Sequence, residues 1–366
     1  MPANLEHLSY CPQLPLVLER LRGLYGDRDM SLVLATMNLP SPALRAFAER
    51  HPAGPCDYPD PVERIAFWDE YLRERAGIPD DSVPSAYLTE MDQGLYGGLL
   101  GGDVQFTSDP DTGWISSMMA PLLHDWAELS GLRFDPQHEW FQRYLHQLQV
   151  FVEGAGDRFG TSHFILINGL NFVFELVGAT RTYMDLIERP ETVCAATTLA
   201  WEVNRAVQRA FFAHAPLVCG GTCSNMLQWV PGRILSESVD PFHMTSVDYF
   251  EQWGRPVLEQ AFAEFDGGGV HIHGNGRHLL EAVASVRDLK GLWLGDDRGF
   301  PPAFEVVGEI RRRVGNLPLN LDVDYAPFVA ALRAQRLTGG VIYRVRGVPD
   351  AEIAARTMDL VRAYRA

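Results

Sequence analysis

Two histidines, His271 and His273, close an apolar, β-branched stretch of sequence that begins at Val270. In a strand, side chains at positions i and i+2 project from the same face, so both imidazoles would point the same way at the carboxyl end of the strand. A turn containing Gly274 and Asn275 follows them. Imidazole is the commonest metal ligand in proteins, and such a pair indicates a metal site. The alternative is a structural pair, with one histidine in the core and the other in a solvated turn.

A metal bound by two histidines needs at least one further ligand. A carboxylate would give the two-histidine, one-carboxylate set, which leaves coordination positions open and suits zinc or ferrous iron. Glu237 is the first choice for that carboxylate. The other candidates in the sequence are Asp240, Asp297, His243 and either Cys219 or Cys223. The expected cofactor is therefore a divalent metal, with zinc ahead of iron.

From about residue 81 onwards, short apolar runs alternate with segments of helical periodicity. About eight strands alternating with helices predict an α/β protein with a (β/α)8 TIM barrel. A doubly wound sheet is the alternative, but no G-x-G-x-x-G sequence follows any of the strands. The predicted strands are Ser85–Glu90, His163–Asn168, Pro216–Gly220, Arg233–Leu235, Val270–Gly274, Gly291–Gly295, Leu317–Leu321 and Gly340–Arg344.

The first 80 residues have a different pattern. Leucines recur at helical spacing from Leu14 to Leu24, several prolines follow, and an amphipathic helix is predicted over Val62–Ala76. We interpret residues 1–80 as a helical N-terminal extension or lid packed on a barrel formed by residues 81–366. The segment Gly94–Gly102 contains five glycines without the Lys-Ser/Thr of a phosphate-binding loop, and we interpret it as a mobile loop over the barrel mouth.

In a barrel, the chemistry takes place at the carboxyl ends of the strands. Polar residues concentrate at those positions. This concentration indicates an active site, because a barrel interior is otherwise filled by branched apolar side chains. Asp240 could instead cap a helix and Tyr343 could simply pack. The predicted catalytic residues are Glu237, Asp240, Asp297 and Tyr343. The predicted substrate-binding residues are Asn168, Asn275, Arg298 and Arg344.

Composition excludes several classes of protein. The formal net charge of −16, without a cluster of lysines and arginines, argues against a nucleic-acid partner. No secretory signal pattern and no run of about 18 apolar residues is evident, so we expect a cytoplasmic protein without a membrane segment. Five cysteines, an odd number in a long chain, indicate reduced thiols rather than a disulfide framework.

Six segments of the sequence match a known family in order and spacing, namely Gly269–Asn275, Ser246–Pro256, Leu176–Gly178, Ile187–Val193, Gly339–Ile342 and Gly347–Pro349. They resemble the uroporphyrinogen decarboxylase superfamily, and most closely its cobamide-dependent methyltransferases. In that branch the strand ends H-x-C-G-N. The resemblance covers roughly residues 80–360 and implies a (β/α)8 barrel, a small-molecule thiol substrate, a corrinoid as methyl donor with a corrinoid protein as partner, and a homodimer.

Two departures from the family pattern change what is expected. Residues 1–50 lack the W-x-M-R-Q-A-G-R segment that binds the substrate carboxylates of true uroporphyrinogen decarboxylases, so porphyrinogen decarboxylation is not expected. His273 stands where the methyltransferases have a metal-binding cysteine, and no cysteine follows Cys223. The resemblance thus implies His271 as a ligand, with an imidazole in place of a thiolate and a harder metal site.

The predicted function is a metal-dependent barrel enzyme that resembles the corrinoid- and thiol-linked methyltransferases. A decarboxylase or lyase is the first alternative, with Arg298 or Arg344 binding a small carboxylate and the metal or Tyr343 stabilising the developing charge. A non-catalytic barrel that binds a small ligand is the second alternative. An amidohydrolase is the least favoured alternative. Amidohydrolases have their H-x-H pair on the first strand, whereas this pair begins at residue 271.

Overall fold

The computed structural model describes residues 4–162 and 167–366 as a mixed α/β fold. In the described residues the strands form one six-stranded parallel sheet and three smaller sheets. In chain order the strands are β1 (Val33–Met37), β2 (Gly54–Cys56), β3 (Ser85–Tyr87), β4 (Val104–Asp109), β5 (Trp114–Met119), β6 (Gly160–Ser162), β7 (Gly221–Ser224), β8 (Gln228–Pro231), β9 (Leu235–Ser238), β10 (Gly268–Ile272), β11 (Leu289–Leu294), β12 (Leu319–Asp324) and β13 (Val341–Arg346).

Helices alternate with the strands of the large sheet. A π-helical turn joins α9 to α10. Within the two described ranges, no helix combines the length and apolar character needed to span a bilayer. The helices are α1 (Leu14–Tyr25), α2 (Pro42–Arg50), α3 (Pro61–Arg75), α4 (Gln93–Gly98), α5 (Glu139–Ala155), α6 (Gly169–Val177), α7 (Ala179–Glu188), α8 (Pro190–His214), α9 (Val247–Tyr249), α10 (Arg255–Glu264), α11 (Leu280–Ala284), α12 (Ala303–Val314), α13 (Tyr325–Arg333) and α14 (Ala351–Ala363).

The large sheet has the strand order β1-β13-β12-β11-β10-β9. From β9 to β13, consecutive strands are neighbours, and the first strand pairs with the last, with Val33 opposite Val341. A doubly wound sheet reverses its strand order at a switch point, so this order argues against that alternative. One face of the sheet, here called the inner face, carries Leu34 and Ile342 and packs against α1 and the β7–β8 hairpin. The outer face packs against the surrounding helices.

The predicted closed barrel is not confirmed, because the sheet is not closed within the described residues. Strands β3 and β6 pair in parallel with each other, Ser85 opposite Gly160, and form a separate two-stranded sheet. Strands β2, β4 and β5 form a small antiparallel sheet, and β7 and β8 form a hairpin. The architecture is therefore a six-stranded parallel α/β sheet whose edge strands within the described residues are β1 and β9, with an opening between β1 and β3.

Two aspartates complete the hydrogen bonding of β1 at this opening. The carboxylate of Asp81 accepts a hydrogen bond of 2.9 Å from the backbone nitrogen of Ala35, and that of Asp80 accepts one of 2.7 Å from Met37. Asp81 is fully buried and also pairs with Arg20 at 2.7 Å. Buried backbone N–H groups need a partner. The two side chains therefore occupy the edge at which a neighbouring strand would otherwise pair.

We expect Asp81→Asn to lower the free energy of unfolding by about 3 kcal/mol, because it leaves the largely buried Arg20 without its counter-charge. Urea denaturation measures this change. The matched control is Asp324→Asn, which breaks an exposed ion pair with Arg346 and should cost about 1 kcal/mol or less. Equal costs for the two variants would contradict a structural role of Asp81 at the opening.

The periodic segments were predicted well, and the N-terminal region less so. The helix predicted over Val62–Ala76 is confirmed as α3, with each end shifted by one residue. The predicted helical extension, residues 1–80, contains α1, α2 and α3, but it also contributes β1 to the large sheet. The strand predicted at Pro216–Gly220 is wrong, since the chain forms β7 only from Gly221. The strand predicted at His163–Asn168 lies outside the described residues except for its last two.

The glycine-rich segment Gly94–Gly102 was interpreted wrongly as a mobile loop over the mouth. Its first part forms helix α4, in which five residues are buried. The glycines are required by close packing: a Cβ atom at Gly97 would lie 1.5 Å from the Met119 sulfur, and one at Gly98 would lie 2.8 Å from Val104. This composition, which resembles that of a flexible loop, here allows a helix to approach β4 and β5.

Candidate metal site

The two histidines lie at the carboxyl end of β10, as their spacing predicted. His271 is opposite Ser238 of β9 and Trp293 of β11, so it projects from the inner face of the sheet with them. The ring centroids of His271 and His273 are 4.3 Å apart, and the ring of Trp293 stacks on His271 at 4.5 Å. His271 is buried, whereas a third of the His273 side chain is exposed. The pair is therefore reachable from the mouth of the sheet.

Asp240 is the carboxylate that joins the two histidines. It begins a short 3-10 helix that follows β9, and its Oδ1 lies 3.9 Å from Nε2 of His273. Asp240, His271 and His273 each have one possible ligand atom within 4.8 Å of those of the other two. Among the described residues, no other group of three histidines, cysteines or carboxylates is this close. Ligand atoms of a tetrahedral zinc site are about 3.4 Å apart. Small side-chain movements would thus bring the three onto one ion.

The donor set fits such an ion. Oδ1 of Asp240 is buried and has no hydrogen-bond partner, which is costly for a carboxylate unless something else occupies that oxygen. Burial raises the pKa of Asp240, and the nearby His273 acts against this effect. Two imidazoles and one carboxylate form the arrangement that binds zinc or ferrous iron with open positions.

Asp297 orients His273. Its Oδ1 lies 2.9 Å from Nδ1 of His273, and its Oδ2 accepts a hydrogen bond of 3.1 Å from the backbone nitrogen of Asn275. Burial acts to raise the pKa of Asp297, but the Asn275 hydrogen bond and the charge of His273 outweigh it, so the pKa lies below its usual range. A carboxylate on Nδ1 holds the proton there and leaves Nε2 as a metal ligand. Asp297 is thus a supporting residue and not a third ligand.

His243 is a third histidine beside the site. Its Nδ1 lies 3.7 Å from Oδ1 of Asp240, and its Nε2 is buried without a partner. Burial, and next the neighbouring His273, lower the pKa of His243 to about 4 and that of His271 to about 3. Both imidazoles are therefore neutral at pH 7, which is the state that binds metals.

Glu237, the first choice for the third ligand, is not near the histidines. It is opposite Val270 of β10, one residue away from the pair formed by Ser238 and His271. Successive side chains of a strand point to opposite faces, so Glu237 projects from the outer face. It is buried there, against the side chains of Asn168 and Asn204, and burial raises its pKa to about 8. Glu237 therefore does not lie with His271 and His273, and Asp240 is the carboxylate that the structure groups with them.

Three other predicted site residues also lie apart from the histidines. Tyr343 projects from the outer face, where its ring packs beside Phe328. Its hydroxyl donates a hydrogen bond of 2.8 Å to the backbone oxygen of Thr338. Asn168 caps α6 by accepting a hydrogen bond of 2.9 Å from its neighbour's backbone nitrogen. Arg298 is exposed in the loop after β11. The structure therefore does not bring Tyr343, Asn168 or Arg298 to the metal site.

Arg344 and Asn275 are close to the site. Oδ1 of Asn275 is buried and has no hydrogen-bond partner. The guanidinium of Arg344 lies 5.1 Å from the centre of the Trp293 ring, whose stacking partner is His271. Sequence reasoning missed Trp293, although its position near the end of an apolar strand marks it as a mouth residue. Cys223 belongs to the apolar cluster around α1, and Cys219 is packed against that cluster.

These features define a parallel α/β protein with a polar, metal-capable site at the carboxyl ends of its strands. Its fold is similar to that of a methyltransferase from Methanosarcina mazei, with a TM-score of 0.60 and 14% sequence identity over 95% of this chain and 98% of that chain. No family model and no curated protein matches the chain. The structural comparison covers nearly the whole of both proteins, so the fold as a whole is methyltransferase-like.

Proposed function

We propose that the protein is a metal-dependent enzyme of the uroporphyrinogen decarboxylase superfamily with a barrel-type fold, and that it transfers a methyl group to the sulfur of a small thiol. The observation that carries the proposal is the group of Asp240, His271 and His273 at the carboxyl ends of adjacent strands. The fold similarity to a methyltransferase supports it, as do the sequence segments that resemble the superfamily.

Each residue of the site has a distinct part in this proposal. Asp240, His271 and His273 would hold a divalent metal, with zinc ahead of iron, and the metal would supply Lewis acidity that lowers the pKa of a bound thiol. Asp297 fixes the tautomer of His273 through Nδ1. Trp293 stacks on His271 and holds its ring in place. The corrinoid methyl donor, and a partner protein that carries it, are further parts of the proposal that rest on the sequence resemblance.

A decarboxylase or lyase is the second candidate function, and the position of Arg344 favours it. Arg344 lies beside Trp293 on the inner face, where it could bind the carboxylate of a substrate. The two candidates differ in what they require: a methyltransferase is inactive without a methyl donor, whereas a decarboxylase needs none and releases carbon dioxide. Assays of the metal-loaded protein with and without a methylated corrinoid separate them.

The first test is the metal content of the protein purified without chelators, measured by elemental mass spectrometry. We expect about one zinc or iron ion per chain, and less than a tenth of that in the His271→Ala/His273→Ala double variant, because a single carboxylate does not hold such an ion. Circular dichroism checks that the variant is folded. A variant that retains the full metal content, or a wild-type protein that binds no added zinc or iron, contradicts the proposed site.

A further inference from the structure

A cavity of about 670 Å³ lies at the carboxyl ends of β1, β12 and β13 and extends to β3. Its walls include Thr36 of β1 and Ser85 of β3, the two strands that are not paired with each other. The volume lies in the range of pockets that enclose small organic ligands. The unclosed sheet thus provides space for a ligand at the strand ends.

The cavity has an aromatic side. Trp68, Tyr71, Tyr87 and Trp114 line it, contributed by α3, β3 and β5. Trp114 packs edge-on to Tyr87 at 5.1 Å, and Trp68 packs edge-on to Tyr71 at 6.0 Å. Aromatic rings prefer offset-stacked or edge-to-face contacts with other rings. This side therefore favours a flat, apolar ligand body.

Three arginines line the cavity, and of these only Arg344 has a buried nitrogen, Nη1, without a hydrogen-bond partner. Arg75 donates to the backbone oxygen of Met37 and to Asp80. Arg346 is exposed and pairs with Asp324 at 3.1 Å. Arg344 pairs with Asp322 by a single contact of 3.4 Å through Nε. A guanidinium has five N–H donors, so the Arg344 side chain retains the capacity to bind a second carboxylate.

Arg344 also links the cavity to the metal site. The side chains of the metal-binding group do not line the cavity, but the Trp293 ring contacts both Arg344 and His271, at 5.1 and 4.5 Å. A ligand bound on Arg344 is thus separated from the metal site by one aromatic ring. This is the arrangement expected of a substrate whose anchoring group and reacting group are different.

We propose that this cavity binds a small aromatic carboxylate, with its carboxylate on Arg344 and its ring against the aromatic side, and that the thiol substrate of the enzyme is an aromatic carboxylate of this class. The second half of the proposal rests on the proposed function, whereas binding itself does not. Asp322 competes for Arg344 and repels an anion, so it limits the affinity for the carboxylate.

The test is isothermal titration of the metal-stripped protein with three probes, namely benzoate, benzamide and cyclohexanecarboxylate. We expect benzoate to bind at least about tenfold more tightly than neutral benzamide, because a hydrogen bond between charged groups is the stronger kind. Cyclohexanecarboxylate, which keeps the charge but not the flat ring, should bind about twofold to tenfold more weakly than benzoate. Equal affinities of benzoate and benzamide, or no binding of benzoate, would overturn the proposal.

Three variants localise the binding. Arg344→Gln should weaken benzoate at least about tenfold, whereas Arg298→Gln, which changes an exposed arginine outside the cavity, should leave the affinity within about twofold. Asp322→Asn should tighten benzoate about threefold or more, since it removes a like charge next to the anchor. A misfolded protein does not gain affinity, so this gain is independent of any damage in Arg344→Gln. Unchanged affinity in both Arg344→Gln and Asp322→Asn would overturn the assignment.

A failure of the benzoate-binding test can be distinguished from a failure of the metal-content test of the proposed function. Loss of metal from the His271→Ala/His273→Ala variant with benzoate binding intact supports both proposals. Absence of benzoate binding in a protein that holds one metal ion overturns the pocket and leaves the metal site standing. Benzoate binding in a protein that takes up no metal supports the pocket and removes its link to catalysis.

Discussion

Replacing Asp240 by alanine is expected to lower the affinity for zinc or ferrous iron by more than about 100-fold, because loss of a mere supporting residue of a metal ligand already costs about 10–100-fold. Asp240 Oδ1 is a buried carboxylate oxygen that lies near Nε2 of His273 and Nδ1 of His243 and accepts no hydrogen bond. Its removal leaves two imidazoles, which hold a divalent ion weakly. Competition with a chromophoric chelator at pH 7 measures the affinity.

Glu237→Gln is the matched control for this experiment. It also alters a buried carboxyl group next to β10, but one that projects from the opposite face of the sheet. We expect its metal affinity to stay within about threefold of the wild-type value, because it removes no ligand. Loss of metal in Glu237→Gln together with retention in Asp240→Ala would reverse the assignment of the third ligand. If the two histidines are only structural, neither substitution changes the amount of metal that the protein binds.

The second large effect is a pH dependence of stability that comes from Glu237. Burial raises its pKa in the folded protein to about 8, whereas an unfolded glutamate titrates near 4.3. Between these values the folded state holds a proton that the unfolded state releases, so wild-type stability falls as pH rises, by about 1.4 kcal/mol per pH unit for this group. The contribution is complete below the unfolded pKa and is lost as pH rises through the folded one.

Glu237→Gln removes this titration without changing the shape of the side chain. The free energy of unfolding of the variant minus that of the wild type should therefore rise with pH between about 5 and 8, by about 4 kcal/mol in all. Urea denaturation of the metal-stripped proteins at several pH values measures the difference, in which the contributions of other groups cancel. Glu309→Gln, at an exposed position of α12, should show a constant difference. A constant difference for Glu237→Gln would mean that this carboxyl is ionised in the folded protein at pH 7.

The local patterns of the sequence predicted much of the site. The spacing of His271 and His273 predicted two neighbouring rings at the carboxyl end of a strand, and the structure places the two rings 4.3 Å apart at the end of β10. Asp297 was also correctly placed near them, because the carboxyl ends of neighbouring parallel strands meet at one edge of the sheet. These inferences needed only the two-residue period of a strand and the alternation of strands with helices.

The choice between Glu237 and Asp240 could not be made in that way. Glu237 lies in β9 and Asp240 begins the 3-10 helix after it, and only the pairing of Ser238 with His271 shows that Glu237 projects from the face opposite the histidines. A shift of one residue in that pairing would exchange the two faces. Register is a long-range property, since it depends on segments more than thirty residues apart in the chain.

Strand β1 was missed because its neighbours in sequence look helical and its partner is distant. Val33–Met37 is a short apolar run between α1 and α2, and it pairs with β13 near the other end of the chain. Short buried runs cannot be assigned to strand or helix from periodicity alone. Gly94–Gly102 shows the opposite error, where loop-like glycines form a packed helix because their neighbours approach too closely for a side chain.

The sequence by itself determined the α/β alternation, the positions of most strands in the second half and the histidine pair, because each of these depends on residues that are close together in the chain. The tertiary structure alone decided that Asp240 joins the pair, that Glu237 and Tyr343 project from the outer face, and that the sheet stays open beside β1 with a cavity in the opening. These depend on strand register and on side chains such as Asp81 that replace a neighbouring strand, and both are fixed only when distant segments pack together.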